Sequence, residues 1–221
     1  MKSHAFCFAL LSVTAIVASA PANAASLTRT FVSSTGIDTN PCTITQPCAT
    51  FNAAYNAVQA NGIISALDPG KYGPLNVNMP VTINGNGWAA ITAPAGADGI
   101  DVNASGNVTL IGLEIDGAGA GSDGIWIGQS TGNVTITNCT VQNFVVYGNI
   151  PDSGNGIVIQ PHGDGTTLNF TITNTTVANN QNVGIFYEPI DSGQLPNANG
   201  VIDHVVANNN ATALTSRRSF R

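Results

Sequence analysis

Apolar and polar positions alternate along this chain in short bursts, and the bursts come in pairs. The first member of each pair is a Gly-Ile step entering a strand: DGIDV (98–102), DGIWI (123–127), NGIVI (155–159) and VGIFY (183–187). Their glycines lie 25, 32 and 28 residues apart. The second member follows each first one: VTLIGLEIDG (108–117), NVTITNCTVQN (133–143), FTITNTTVANN (170–180) and VIDHVVANN (201–209). There the turn residue is read at Gly112, Asn138, Asn174 and Asp203, spaced 26, 36 and 29. MPVTINGNGW (79–88) is an earlier, fainter copy. Alternation with a period of two marks strands with one buried face. It places Ile100 and Val102, Ile125 and Ile127, Ile157 and Ile159, and Ile185 and Tyr187 in inward columns, with Asp101, Trp126, Val158 and Phe186 in an outward one.

A two-part motif that keeps its order while the loops between change length is what stacked coils produce, because each coil touches only its neighbours. The predicted fold is therefore all-β, a right-handed parallel β-helix. Asn recurring at one turn of successive coils predicts side-chain amides bonded along the axis. A β-sandwich with hairpin turns is the competing all-β reading. It accounts for the short strands and turn glycines but not for the fixed order of the two motifs.

The ends break this pattern. Residues 1–24 read as a signal peptide: Lys2, an apolar run from Ala5 to Ala18, then Ala22-Asn23-Ala24 in the form a signal peptidase accepts. The run is shorter than the roughly 20 apolar residues of a spanning helix. Residues 25–62 predict an N-terminal strand, a loop closed by a Cys42–Cys48 disulfide, and a capping helix over 50–62. In that helix Thr50 is the N-cap, Phe51, Ala54, Tyr55 and Val58 share a face, and Gly62 is the stop. Coils are expected over 63–210. The basic tail 211–221 (ATALTSRRSFR) neither continues a coil nor resembles a lid. A truncated or frame-shifted chain would leave such an end, and so would a short form whose tail docks on the open coil.

Charge narrows the partners. With Lys2 removed, five Lys and Arg stand against twelve Asp and Glu, and between Thr30 and Ser216 the only one of those cations is Lys71. Nucleic acid, which needs several cations against phosphates, is excluded as a partner, and no membrane insertion is expected after signal cleavage. A signal and a disulfide together point to a secreted, periplasmic or cell-surface protein. Cys139, alone in a strand-like run, reads as a small core residue.

RTFVSSTGIDTNPCTITQPCATFNAAYNAV (29–58) followed by GIISALDPGKYGPLNV (62–77) resembles the opening of bacterial exported right-handed β-helix proteins of the pectin-lyase-like superfamily. NVTITNCTVQN resembles the repeat of polygalacturonases and other β-helix repeat proteins. The resemblance covers about residues 28–210 and implies the fold, not one activity, since lyases, hydrolases, epimerases, phage tail proteins and adhesins share it. Its lyases would use calcium-binding acids and a basic Arg or Lys. The coils here hold no Arg, and Lys71 reads as a solvated turn residue. The acid and G-H-G pattern of its polygalacturonases is missing; Pro161-His162-Gly163-Asp164 keeps only part of it.

Two functions follow. The first is a non-catalytic carbohydrate- or surface-binding module, or a structural one, using Asp101, Trp126 and Phe186 on the outward column to meet a polysaccharide or cell-surface glycan. The second is a polysaccharide lyase or glycoside hydrolase with its site on the flank loops, where His162, Asp164, Glu188 and Asp191 would gather. No cofactor is expected. Calcium has no supporting motif, because Asp98 and Asp123 each precede Gly in turns that favour Asp for local hydrogen bonding.

Overall fold

The computed structural model describes residues 27–128, 132–162, 167–191, 197–216 and 219–220; the expected signal peptide lies outside them. The Gly-Ile bursts become the strands of one six-stranded parallel sheet, from Leu75–Val77 through Ile100–Val102, Ile125–Ile127, Ile157–Ile159 and Val183–Tyr187 to Thr212–Ser216. The second bursts, with the N-terminal strands, form an eleven-stranded sheet. The chain is a right-handed parallel β-helix.

The columns follow the expected register. Ile100, Ile125, Ile157 and Ile185 face one another across successive strands, as do Val102, Ile127, Ile159 and Tyr187. All but the partly buried Tyr187 are buried in a single core running the length of the stack. Stacking identical or similar β-branched residues satisfies the pleat and removes apolar surface at every level, worth about 25 cal/mol per Å² buried.

Polar ladders run beside the apolar ones. Asp98 Oδ1 accepts from the Asp123 N–H at 3.0 Å, Asp123 Oδ1 from the Asn155 N–H at 2.8 Å, and Asn155 Oδ1 from the Val183 N–H at 3.2 Å. A second ladder joins the Phe144 N–H to Asn180 Oδ1 (3.2 Å) and the Asn180 N–H to Asn210 Oδ1 (3.0 Å). Each side chain thus satisfies a main-chain donor one coil away, at sites partly or fully shielded from water.

Three expectations need correction. The helix is Phe51–Ala57, not 50–62; Thr50 caps it as read, accepting from the Ala53 N–H at 3.1 Å. From Val58 the chain becomes a strand to Ala66, paired with Leu27–Val32 and with Val81–Thr92. A helix this short is marginal alone, so long-range pairing overrides it. Gly62 serves close packing instead of a helix stop: a β-carbon there would meet Val58 Cγ2 at 2.5 Å.

The left-handed turn residues are Gly112, Asn138, Asn174 and His204, because Asp203 pairs with Thr173 inside the strand. The tail also departs from the reading that it does not continue a coil. Thr212–Ser216 pairs in register with Val183–Tyr187 as a further rung, with Leu214 opposite Ile185. Leu214 is nonetheless 58% exposed, since no described rung follows it.

At the other end, Cys42 and Cys48 are disulfide-bonded, their α-carbons 4.7 Å apart. The Asp-x-Gly-x-Tyr segment clamps the N-terminal strand to the first coil. Asp68 accepts from Ser33 Oγ (2.8 Å), the Ser34 N–H (2.7 Å) and the Tyr72 hydroxyl. These bonds, Tyr72 foremost and then the Ser34 N–H, hold its carboxyl down at about 2. Cys139 is a buried free thiol donating to the Thr137 carbonyl, and burial raises it to about 11, so it packs and does not react.

Candidate functional site

The outward column is in register as read: Asp101, Trp126, Val158 and Phe186 occupy equivalent places on adjacent strands of the six-stranded sheet. Its four members meet different surroundings. Val158, Val183 and Phe186 form a small apolar cluster of their own outside the main core, with the partly buried Trp126 packed on it. Phe186 is only 5% exposed, so it forms floor and offers little ring to a ligand.

Over this floor lies a groove of about 320 Å³. One wall comes from Asp123 and from Ile150, Asp152 and Ser153 of the loop after Gln142. The other comes from Gln160, Glu188 and Ile190, at the turns that leave the sheet. Main-chain bonds stack those turns: the Gly128 N–H donates to the Val102 carbonyl, Gln160 to Ile127, Glu188 to Ile159. Gln160 Nε2 then donates to Glu188 Oε2 at 3.1 Å. At the same level one coil earlier stands Gly128, and the far edge of the Trp126 ring occupies the space its side chain would fill. A β-carbon on Gly128 would lie 2.2 Å from Trp126 Cη2 and 2.3 Å from Cζ3. The indole therefore reclines along the sheet instead of standing away from it.

The carboxyls beside the ring are not ordinary surface acids. Burial raises Asp123 to about 7 against its bonds from Asn155 and Gly154. Asp101 is raised to about 7 by burial and by the neighbouring Asp98 charge, and its Oδ1 is enclosed without a hydrogen-bond partner. Asp98, hydrogen-bonded to Asp101, is also raised, chiefly by burial. Two carboxyls in contact share a proton more readily than they carry two charges.

Of the flank-loop residues, Glu188 lines the groove, and His162 bridges to Ile190 beside it with Nε2 enclosed and unpartnered. Asp191 is described only as the second residue of the strand Ile190–Asp191, paired with Phe220, and Asp164 lies outside the described residues. The loops thus bring Glu188 and His162 to one flank. Sequence reading missed Asp123, Gln160 and Asp152 as groove residues. From sequence Asp123 reads as the Asp of an Asp-Gly turn, where it also bonds the next coil. The one usable signal was its position three residues before Trp126 on a strand whose outward face was already marked. Among the described residues no group of three or more His, Cys, Asp or Glu is arranged to hold a metal, and no helix is long and apolar enough to cross a membrane.

The fold and groove define an all-β solenoid with a ligand-sized depression on one outer face. No family model matches the chain, and no curated protein does. Among solved structures it is similar to the crystal structure of pectate lyase Pel9A, over 85% of this chain and 67% of that one, at 17% identity and a TM-score of 0.46. At that level neither activity nor site residues carry across.

Proposed function

We propose that this chain is an exported glycan-binding module of pectin-lyase-like build, which seats a short stretch of saccharide in the groove over Trp126. The observation that carries the reading is the reclining indole: a flat aromatic surface in a depression walled by carboxyl and amide groups. Sugar rings present an apolar face and a rim of hydroxyls, and such a site matches both at once. Gln160 and Glu188, already bonded to one another, offer donor and acceptor at a fixed spacing.

The test is a panel of soluble polysaccharides and oligosaccharides against the purified protein, scored by calorimetry for binding and by product assay for turnover. Binding without turnover, lost in Trp126→Ala, supports the module. Failure of every saccharide, or binding indifferent to Trp126→Ala, refutes it.

A second reading, a polysaccharide-degrading enzyme, is favoured by one observation: Asp123, protonated up to about 7, shares the groove with Glu188. An acid and a second carboxyl are the usual pair for glycoside cleavage. Release of reducing-end or unsaturated products, abolished in Asp123→Asn, would establish it in place of the module.

A further inference from the structure

Resting on the saccharide reading of the groove, we infer that its ligand is an uncharged glycan, and that the site turns away polyuronates and free amino-sugar oligomers alike. Three observations on the lining carry this. The first is the floor. Trp126, Val158 and Phe186 form an apolar surface, and Ile150 and Ile190 carry it up the walls. Such a surface takes the C–H face of a sugar ring and offers nothing to an ion except the indole.

The second is that the polar wall groups are already committed within the chain. Asp123 Oδ1 accepts from the Asn155 N–H at 2.8 Å and from the Asn155 side-chain amide at 2.9 Å, and burial keeps the carboxyl neutral up to about 7. Glu188 Oε2 accepts from Gln160 Nε2 at 3.1 Å. The Ser153 hydroxyl donates to the Ile150 carbonyl at 2.8 Å and accepts from the Tyr147 N–H at 2.9 Å. An ammonium entering here gives up its water and must break into bonds already made, a far larger cost than a hydroxyl meets. A hydroxyl donates and accepts and turns to suit, so it can use the lone pairs that committed oxygens still offer.

The third is the sign of the charge. None of the described lining residues is Lys, Arg or His, and from Gly73 to Ser216 the chain carries ten Asp and Glu and no Lys or Arg. A uronate carboxylate would enter an acidic field with no counter-charge on either wall. Ligand charge of either sign is therefore penalised, for different reasons.

The experiment sets charged and uncharged forms of one oligomer side by side on the purified protein at moderate salt. The pairs are an oligogalacturonate with its full methyl ester, and a glucosamine oligomer with its fully N-acetylated form. In whichever pair binds, the uncharged member should bind at least about tenfold more tightly, and Trp126→Ala should remove that binding. Ile150→Lys places a cation on an exposed part of the wall and should raise galacturonate affinity by about threefold. Equal or tighter binding of either charged member overturns the inference and leaves the groove reading standing. That holds also where the galacturonate is held by Arg218 or Arg221, which flank the tail strand paired with Ile190–Asp191. If neither pair binds, the glycan found on the wider panel decides: a charged one overturns the inference and a neutral one bears it out. A silent panel takes the inference and the groove reading together.

Discussion

Asp123 takes two hydrogen bonds from Asn155 through a single oxygen, Oδ1, one from the main-chain N–H at 2.8 Å and one from the side-chain amide at 2.9 Å. The same carboxyl lines the groove, so one residue belongs both to the ladder that ties coils together and to the surface that would meet a ligand. Its protonation is therefore felt in stability as well as in binding.

Stability should fall as pH rises across the acid range. Burial lifts Asp123 from 3.8 to about 7, so the fold favours the neutral carboxyl. The unfolded chain releases that proton near 3.8, and the folded one only near 7. Between those values the unfolded state binds fewer protons and gains on the native one. Asp101 acts in the same direction. Asp68, held at about 2, acts oppositely: its contribution is full above 3.8 and is lost as pH drops toward 2. Denaturant midpoints measured across pH should peak on the acid side of neutrality. Asp123→Asn, which copies the Asn already used one coil on, should flatten the neutral limb of that curve and leave the acid limb unchanged.

Gly128→Val should weaken saccharide binding about as much as Trp126→Ala does, by roughly tenfold or more, although Gly128 contributes no side chain to the groove. The new side chain takes the space of the ring's far edge and lifts the indole off the sheet. Tryptophan fluorescence should shift to the red in the same variant. An unshifted spectrum with unchanged affinity would show that the ring's posture is irrelevant.

Tyr72→Phe should cost about 1 kcal/mol and Asp68→Ala more, about 1–3 kcal/mol, in urea unfolding. The first change keeps the ring against Phe51, with centroids 5.2 Å apart, and removes only the hydroxyl. The second removes the side-chain acceptor of Ser33, Ser34 and Tyr72 together, leaving the Tyr72 hydroxyl only the Asp68 main-chain carbonyl. Equal losses for the two would mean that the Tyr72 hydroxyl alone, and not the serine bonds to the carboxylate, secures the first strand.

Asn180→Leu should cost about 1–3 kcal/mol, because it leaves the buried Phe144 N–H without an acceptor while keeping a similar volume. Hydrogen exchange at the Phe144 amide should rise in that variant ahead of amides in the Ile100–Val102 strand. Uniform acceleration would point to global unfolding and away from a local ladder.

The inward and outward columns were legible in the sequence because a period of two and a fixed order of motifs leave little freedom of register. Ile100, Ile125, Ile157 and Ile185 fall into line from spacing alone. Where two adjacent residues suit a left-handed turn equally, as Asp203 and His204 do, local chemistry cannot choose. The pairing of Thr173 with Asp203 decides it. The end of the helix at Ala57 was hidden for a related reason, since strand partners distant in sequence claim Val58 onward. The groove was half visible. Trp126 and Glu188 follow from column and flank, but the reach of Ile150 and Asp152 over the sheet comes from an aperiodic loop. The burial of Phe186 is a property of its cluster with Val158 and Val183, not of its place in the alternation.

Asp123 aside, the ladders draw on one part of each coil and the Gln160–Glu188 wall of the groove on another. Axial bonds run through Asp98, Asp123 and Asn155 and through Asn180 and Asn210, while one wall is built where the chain leaves the sheet at Gln160 and Glu188. Insertions at those exits can lengthen without disturbing a rung, and a duplicated coil would extend the stack without redesigning either neighbour. Such a molecule can reshape the wall at its sheet exits by loop growth and set how much surface it presents by coil number, two largely separate routes of variation.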